Sequence, residues 1–401
     1  MLAGLNERFI LCIGRPWTYQ CFQRNSSTEI ASYLSDDGRA AARKNWEKPV
    51  LDSGNIVIIS GLLIGLVYGS VGLLSGFCLL SGLRGFWAEG DGRLVRTYAL
   101  AIGVAVAGTQ LLAAAGLADI GKSIYLQPSF SAPVMFFGGL LFGYGMVLSN
   151  GCGSRALVLL GRGNLRSFVV VVVLAIFAQM TLKGLIAPAR VAMVGASQTT
   201  ATANSVPALF AAAGLSATAA RMLAASIISA ALIIFAFAHP AFRRSLGQIA
   251  AGLAIGLLVA AGWFATGYLG ADDFNPTPVT SLTFIAPIAD ALQYVMLSTG
   301  STLNFGIVTV FGVFIGSMVT ALLTGRFRLE GFQSPRHMLR SGGGAALMGA
   351  GGVMAFGCSI GQGLTGFSTL ALASLIAFAG ILVGTAVGLR GALRVRPLAA
   401  A

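Results

Sequence analysis

Three of the five cysteines in this 401-residue chain stand where an apolar sequence interrupts itself. Cys152 lies in SNGCGSRALVLLGRGNLRS (149–167), held between Gly151 and Gly153. Cys358 lies in MAFGCSIGQGLTGFSTLALAS (354–374), between Gly357 and Ser359, with Gly361 and Gln362 close behind. Cys78 follows a Ser–Gly–Phe turn, and Cys12 and Cys21 stand near the N-terminus. A buried free cysteine is ordinarily a small hydrophobe. Three beside breaks, two of them in matching surroundings, invite a chemical reading instead. No Cys-x-x-Cys pair and no Cys/His cluster occurs, which disfavours a metal site or a thioredoxin-type dithiol. No cofactor and no catalytic constellation is expected, and the absence of a P-loop sequence argues against direct ATP use.

Other polar residues near the breaks have two readings each. Arg155 and Arg166 are either solvated loop arginines or groups that attract an anion to the mouth of a pore. Gln362 sits in a Gly–Gln–Gly turn, from which its amide can donate to an oxyanion. Arg221 lies inside an apolar run, where charge is costly and often functional, although a nearby helix end would let it reach water. Gln179 and Asn304 read as glue between helices. His239 and His337 stand beside basic loops and read as interfacial.

The elements that position these residues are set by the solvent. The chain is 56% hydrophobic and 10% charged, with a mean hydropathy of +0.83. Soluble domains carry about 25% charged residues. An all-α polytopic membrane protein is expected; a barrel would show weak alternating strands rather than long apolar runs. Spans of about 20 apolar residues are predicted near 56–82, 98–118, 133–150, 167–187, 209–238, 247–269, 302–324, 342–357 with its continuation, and 366–389, about nine in all. Residues 279–297, broken by Pro287 and Asp290, read as a short helix at the surface or dipping in. Residues 1–50 form a polar extension without a signal-peptide pattern, with room for an amphipathic helix around Arg39–Lys48; Cys12 and Cys21 are not expected in a buried site.

The net charge of +13 would suggest nucleic acid in a soluble protein. Here the excess falls in short loops after alternate spans: Arg84, Arg93 and Arg96; Arg162 and Arg166; Arg243 and Arg244; Arg326, Arg328, Arg336 and Arg340; then Arg390, Arg394 and Arg396. The positive-inside rule then places those loops and the C-terminus in the cytoplasm and the N-terminus in the periplasm. No nucleic-acid partner is expected; the surrounding partner is membrane lipid.

The chain also reads as duplicated. Gly143, Gly145 and Gly151 precede Cys152 at the spacings at which Gly349, Gly351 and Gly357 precede Cys358. A looser match joins 61–86 to 305–330. The charge map gives the two cysteine units opposite orientations, as in inverted-repeat transporters, whose paired broken segments mark a midplane site. The division predicted is a 51–245 repeat and a 246–401 repeat. Backbone that leaves helical geometry at that depth must line a cavity or lie buried in protein.

The stretches 66–86, 138–168, 305–328 and 342–374 resemble, in order, the motifs of the YeeE/YedE family of sulfur transporters, whose characterised type takes up thiosulfate. The resemblance covers residues 56 to about 390. It implies an hourglass-shaped inner-membrane protein with short re-entrant helices, and a pore in which Cys78, Cys152 and Cys358 contact thiosulfate in succession. It also implies a small cytoplasmic sulfurtransferase partner of the TusA type. Ser154–Arg155 stands where the family commonly has small or polar residues, which bears on ion preference. Thiols in series suit a sulfur dianion, because soft, weak contacts release an ion that strong cations would retain. Gly151, Gly153, Gly357, Ser359, Gly361 and Gln362 complete the expected substrate-binding set, with backbone N–H groups at the restarting helices offering a positive dipole end. Another sulfur or selenium species is the alternative cargo. A membrane thiol–disulfide electron carrier is the alternative class, but it wants a close exchanging pair where the sequence offers separate cysteines.

Overall fold

The computed structural model describes residues 9–15, 18–24, 53–200, 204–212, 214–271, 277–332 and 334–391. Contacts divide the chain into residues 1–55 and 56–401. In the first unit β1 (Phe9–Arg15) and β2 (Thr18–Arg24) form an antiparallel hairpin with Cys12 opposite Cys21. The amphipathic helix expected at 39–48 lies outside the described residues.

The second unit is an all-α membrane body. Its first part runs α1 (Ser53–Ser75), α2 (Leu79–Arg84), α3 (Arg93–Ala114), α4 (Ala132–Ser149), α5 (Gly153–Gly161) and α6 (Leu165–Leu182). Then come α7 (Ala187–Ala196), α8 (Val206–Ala212) and α9 (Ala217–Phe237). The last part holds α10 (Leu246–Phe264), α11 (Ile285–Met296), α12 (Phe305–Leu323), α13 (Pro335–Met354) and α14 (Leu372–Arg390). Between α13 and α14 lies a short helix whose middle, Gly361–Gly366, is widened into a π segment.

Eight helices among the described residues are long and apolar enough to cross a membrane. The ninth expected span is α13. It has 20 residues, but its first turns carry Arg336, His337 and Arg340, so only its second half is apolar. The span expected at 209–238 divides into α8 and α9. The short helix expected at 279–297 is α11, which tucks inward and buries Ile285, Pro287, Ile288 and Ala289. Helix starts follow local chemistry: Ser131, Asn164, Asn304 and Ser334 each accept a backbone N–H of the first turn. Asn304 is therefore a cap rather than glue between helices. Gln179 does join helices, donating to Gln293 of α11. Arg221 sits in the second turn of α9, half-buried.

Lipid gives no hydrophobic drive for helix association, so close backbone approach must supply it. A β-carbon on Gly145 of α4 would lie 2.6 Å from Gly344 O and 2.9 Å from Met348 N of α13. One on Gly351 of α13 would lie 2.6 Å from Gly138 O and 2.7 Å from Phe142 N of α4. These contacts are reciprocal: the interval from Gly138 to Gly344, and from Phe142 to Met348, equals that from Cys152 to Cys358. The two helices are antiparallel. Gly143 of α4 meets Ile381 O and Thr385 N of α14, while Gly349 of α13 meets Leu174 O and Ala178 N of α6. Here the interval is one residue longer, and the π segment contains that extra residue.

Parallel glycine crossings complete the body. Gly65 and Gly69 of α1 meet Thr309 O and Val313 O of α12, and Gly252 and Gly256 of α10 meet Thr97 O and Ala101 O of α3. The helices α1 and α12, which hold the loosely matching stretches 61–86 and 305–330, are thus parallel neighbours.

Candidate functional site

Each of the three cysteines stands immediately before a helix that restarts, and Cys78 and Cys152 are extended there. Cys78 precedes α2 with φ −166° and ψ 130°, and Cys152 precedes α5 with φ −83° and ψ 172°. The carbonyls of Cys78, Cys152 and Cys358 accept the N–H groups of Gly82, Ala156 and Gln362 at 3.0, 2.9 and 2.8 Å. The chain enters the two later breaks through left-handed residues: Asn150 at φ 59° and Phe356 at φ 55°, followed by Gly151 and Gly357. Such a turn ends a helix sharply and turns the cysteine into the body.

All three thiols are buried and unpaired by disulfides, at 3, 1 and 1% exposure for Cys78, Cys152 and Cys358. Cys78 and Cys152 are neighbours. Cys152 Sγ lies 3.2 Å from Ser154 Oγ. Cys358 Sγ accepts the Gly361 N–H at 3.2 Å and faces the backbone N–H of Phe284, the residue that precedes α11 as Cys78 precedes α2.

Two tyrosines, not singled out in the sequence, are buried near the thiols. Tyr68 of α1 and Tyr98 of α3 are each within electrostatic reach of all three cysteines. Tyr68 packs on Phe284 with ring centroids 5.1 Å apart, and Tyr98 stacks on Phe77 at 5.3 Å. The Tyr98 hydroxyl donates to Ser359 O, tying α3 to the second cysteine turn. Neither tyrosine stands next to a break in the sequence; only a fold that crosses α1 and α3 over the breaks brings them in.

The expected glycines have distinct duties. Gly153 lies against Leu174, Ile285 and Ile288, with a β-carbon there 3.2 Å from the Leu174 methyl group. Gly151 faces the Arg155 stem, and Gly357 faces Gln362. Ser359 and Gln362 are fully buried. Gln362 donates from Nε2 to Ala355 O at 2.6 Å, clamping the turn that carries Cys358.

Arg155 and Arg166 meet at a recess of about 60 Å³ beneath the first break, lined also by Ser149, Asn150, Gly151 and Asn164. Arg155 Nη1 donates to Gly72 O at 3.3 Å. Arg166 donates to Ser149 O at 3.0 Å and Ser341 Oγ at 3.1 Å. Arg84 Nη1 donates to Asn150 Oδ1 at 2.5 Å, and Arg340 is within electrostatic reach of both Arg84 and Arg166. Both expected arginines are half-buried; they are not freely solvated loop groups. Arg84, Arg155 and Arg166 donate to carbonyls, an amide and a hydroxyl, while Asn164 of the recess donates to the Glu330 carboxylate at 2.8 Å. Such a concavity concentrates anions. On the same face Arg162 pairs with Glu330 at 3.2 Å, and Arg390 donates to Trp87 O.

Among the described residues no group of three or more His, Cys, Asp or Glu side chains is placed to hold a metal ion. The arrangement is three soft, sealed thiols among tyrosines, with a basic recess on one side. Comparison with known proteins agrees with this character. A family model described as sulphur transport matches residues 74–387. The chain is 26% identical over 330 residues to the thiosulfate transporter TsuA of Escherichia coli (strain K12), covering 77% of this chain and 87% of that protein. It is 26% identical over 328 residues to the thiosulfate transporter TsuA of Spirochaeta thermophila, covering 80% of this chain and 94% of the relative. A helical membrane body with buried thiols at paired breaks is thus matched over most of its length by one family model, and the chain belongs to the sulphur transport family.

Proposed function

We propose that this protein imports thiosulfate across the inner membrane and that Cys78, Cys152 and Cys358 contact the ion in succession. The observation that carries the reading is the shared placement of the three thiols. Each precedes a restarting helix, each is buried, and Tyr68 and Tyr98 are within electrostatic reach of all three. Contacts from S–H groups replace part of the ion's hydration without holding it firmly. The start of α5, with Cys152 at its first turn, offers a partial positive charge. Burial of the thiols means that the ion passes only when the surrounding turns yield.

The body reads as two inverted repeats, 51–245 and 246–401. Supporting this are the antiparallel reciprocal contacts of α4 with α13 and the equivalence of the α4–α14 and α6–α13 crossings. With the positive-inside rule, the face carrying Arg84, Arg155, Arg166 and Arg340 is cytoplasmic, as is the C-terminus, and the N-terminus is periplasmic. The basic recess then receives the ion on its way in and hands it to a small cytoplasmic sulfurtransferase. The test is uptake of labelled thiosulfate by proteoliposomes holding the full chain. Uptake above that of empty vesicles, abolished by Cys152→Ala or Cys358→Ala in folded protein, is expected. No uptake by well-folded wild type overturns the reading.

A further inference from the structure

The three cysteine turns share a device that lies outside the thiols themselves. Three residues before each cysteine stands a carbonyl at the end of the incoming helix: Ser75 before Cys78, Ser149 before Cys152 and Ala355 before Cys358. The next residue is left-handed in every case, Gly76 at φ 68°, Asn150 at φ 59° and Phe356 at φ 55°. Each of these carbonyls accepts a side-chain N–H. Arg166 Nη2 holds Ser149 O at 3.0 Å, and Gln362 Nε2 holds Ala355 O at 2.6 Å. Gln248 Nε2 holds Ser75 O at 3.1 Å. The final carbonyls of a helix have no partner within it, so such a donor fixes the direction in which the chain departs.

Gln248 is the member of this set that comes from farthest away. It lies 173 residues beyond Ser75, in the first turn of α10. Chemistry fixes the orientation of its amide. Ser75 O can only accept, so the nitrogen faces it. The amide oxygen then faces Thr97 Oγ1 of α3, which donates to it at 3.0 Å. Thr97 is fully buried. One turn further along α10, a β-carbon on Gly252 would lie 2.9 Å from Thr97 O. The close crossing of α3 and α10 thus carries Gln248 to the end of α1.

We propose that Gln248 is a positioning residue for Cys78: its amide latches the turn between α1 and α2, as Arg166 and Gln362 latch the turns that carry Cys152 and Cys358. The inference rests on the thiosulfate reading and adds to it what keeps the first thiol in place. A buried thiol meets an ion only when its turn yields, and each latch sets how readily its own turn does so. The three donors belong to different elements, α10, α6 and the π segment. The turns therefore yield in separate steps, as contact in succession requires.

The experiment uses the full chain. Folded protein in detergent is treated with N-ethylmaleimide for set times, and peptide mass spectrometry reads the alkylation rate of each cysteine separately. Gln248→Met keeps the length of the side chain and removes the donor. It is expected to raise the Cys78 rate about two- to tenfold, the loosening that follows from one lost hydrogen bond, with the Cys358 rate unchanged. Thiosulfate uptake by proteoliposomes at saturation should fall by a similar factor. Gln362→Met should do the converse, raising the Cys358 rate and leaving that of Cys78 as it was. Thr97→Val, which frees the Gln248 oxygen, should move Cys78 in the same direction as Gln248→Met, and Thr97→Ser should lie closer to wild type than Thr97→Val. Should Gln248→Met fail to fold, Gln248→Glu, of the same shape but without the donor, takes its place. An unchanged Cys78 rate overturns the proposal. So does an equal rise at Cys358, which marks an ordinary packing contact, and so does a selective rise at Cys78 with unaltered uptake. A folded wild type that carries no thiosulfate removes the underlying reading, whereas the alkylation rates judge the latch by themselves.

Discussion

The antiparallel crossing of α4 and α13 permits a stringent test, because one substitution in one helix has opposite expected effects at two positions. Gly351→Ala puts a methyl group 2.6 Å from Gly138 O and 2.7 Å from Phe142 N. Ordinary contact begins near 3.4 Å, so the helices must part by about 0.8 Å there. Backbone cannot rotate aside as a side chain can, and overpacking of this kind costs about 1–3 kcal/mol. At roughly 2–4 °C per kcal/mol for a body of this size, the unfolding temperature should fall by about 2–12 °C. Gly343→Ala, on the same helix, meets nothing within 4 Å; relief of glycine's helix penalty should leave it neutral or stabilised by up to about 1 kcal/mol. Gly145→Ala, whose β-carbon meets the reciprocal atoms, should match Gly351→Ala. The double variant should cost less than the sum, since helices already parted accommodate the second methyl group. Thermal unfolding in detergent, monitored by intrinsic fluorescence, reads all four. Equal shifts for Gly343→Ala and Gly351→Ala would refute the close-approach argument, and strict additivity would refute a shared interface.

Other outcomes follow from the site. Cys152→Ser and Cys358→Ser keep a hydroxyl donor but lose the polarisable sulfur, so thiosulfate uptake should drop well below wild type in each; normal transport by both would show that the passage does not need sulfur. Cys12→Ser with Cys21→Ser should leave uptake near wild type. Arg166→Gln should raise half-saturation several-fold and flatten the dependence of uptake on ionic strength, since the recess acts through its field. A reporter fused after Ala401 should be active only in the cytoplasm.

Much of the site was legible because its signals are local. A glycine–cysteine interruption in an apolar run needs no tertiary knowledge to be seen, and Cys152 and Cys358 stand at its centre with the left-handed residues Asn150 and Phe356 just before. Arg155 and Arg166 were readable as candidates but not as partners; their shared recess forms only when α5 and α6 fold back on each other. Tyr68 and Tyr98 escaped because mid-span aromatics look like core. Of the spans, α13 was placed by its glycines, while its basic first turns keep it short of an ordinary membrane crossing.

The glycine crossings also constrain how the chain is made. α1 and α4 enter the bilayer long before the helices that receive them: Gly65 and Gly69 await α12, and Gly139 and Gly143 await α14. During synthesis those bare stripes face lipid, or the insertion machinery, until the last helix leaves the ribosome. The first six helices then have no finished packing of their own, and assembly is a late, concerted event rather than a sum of two halves. A fragment ending before α10 should be a substrate for quality-control proteolysis, and a separately expressed second half should rescue it.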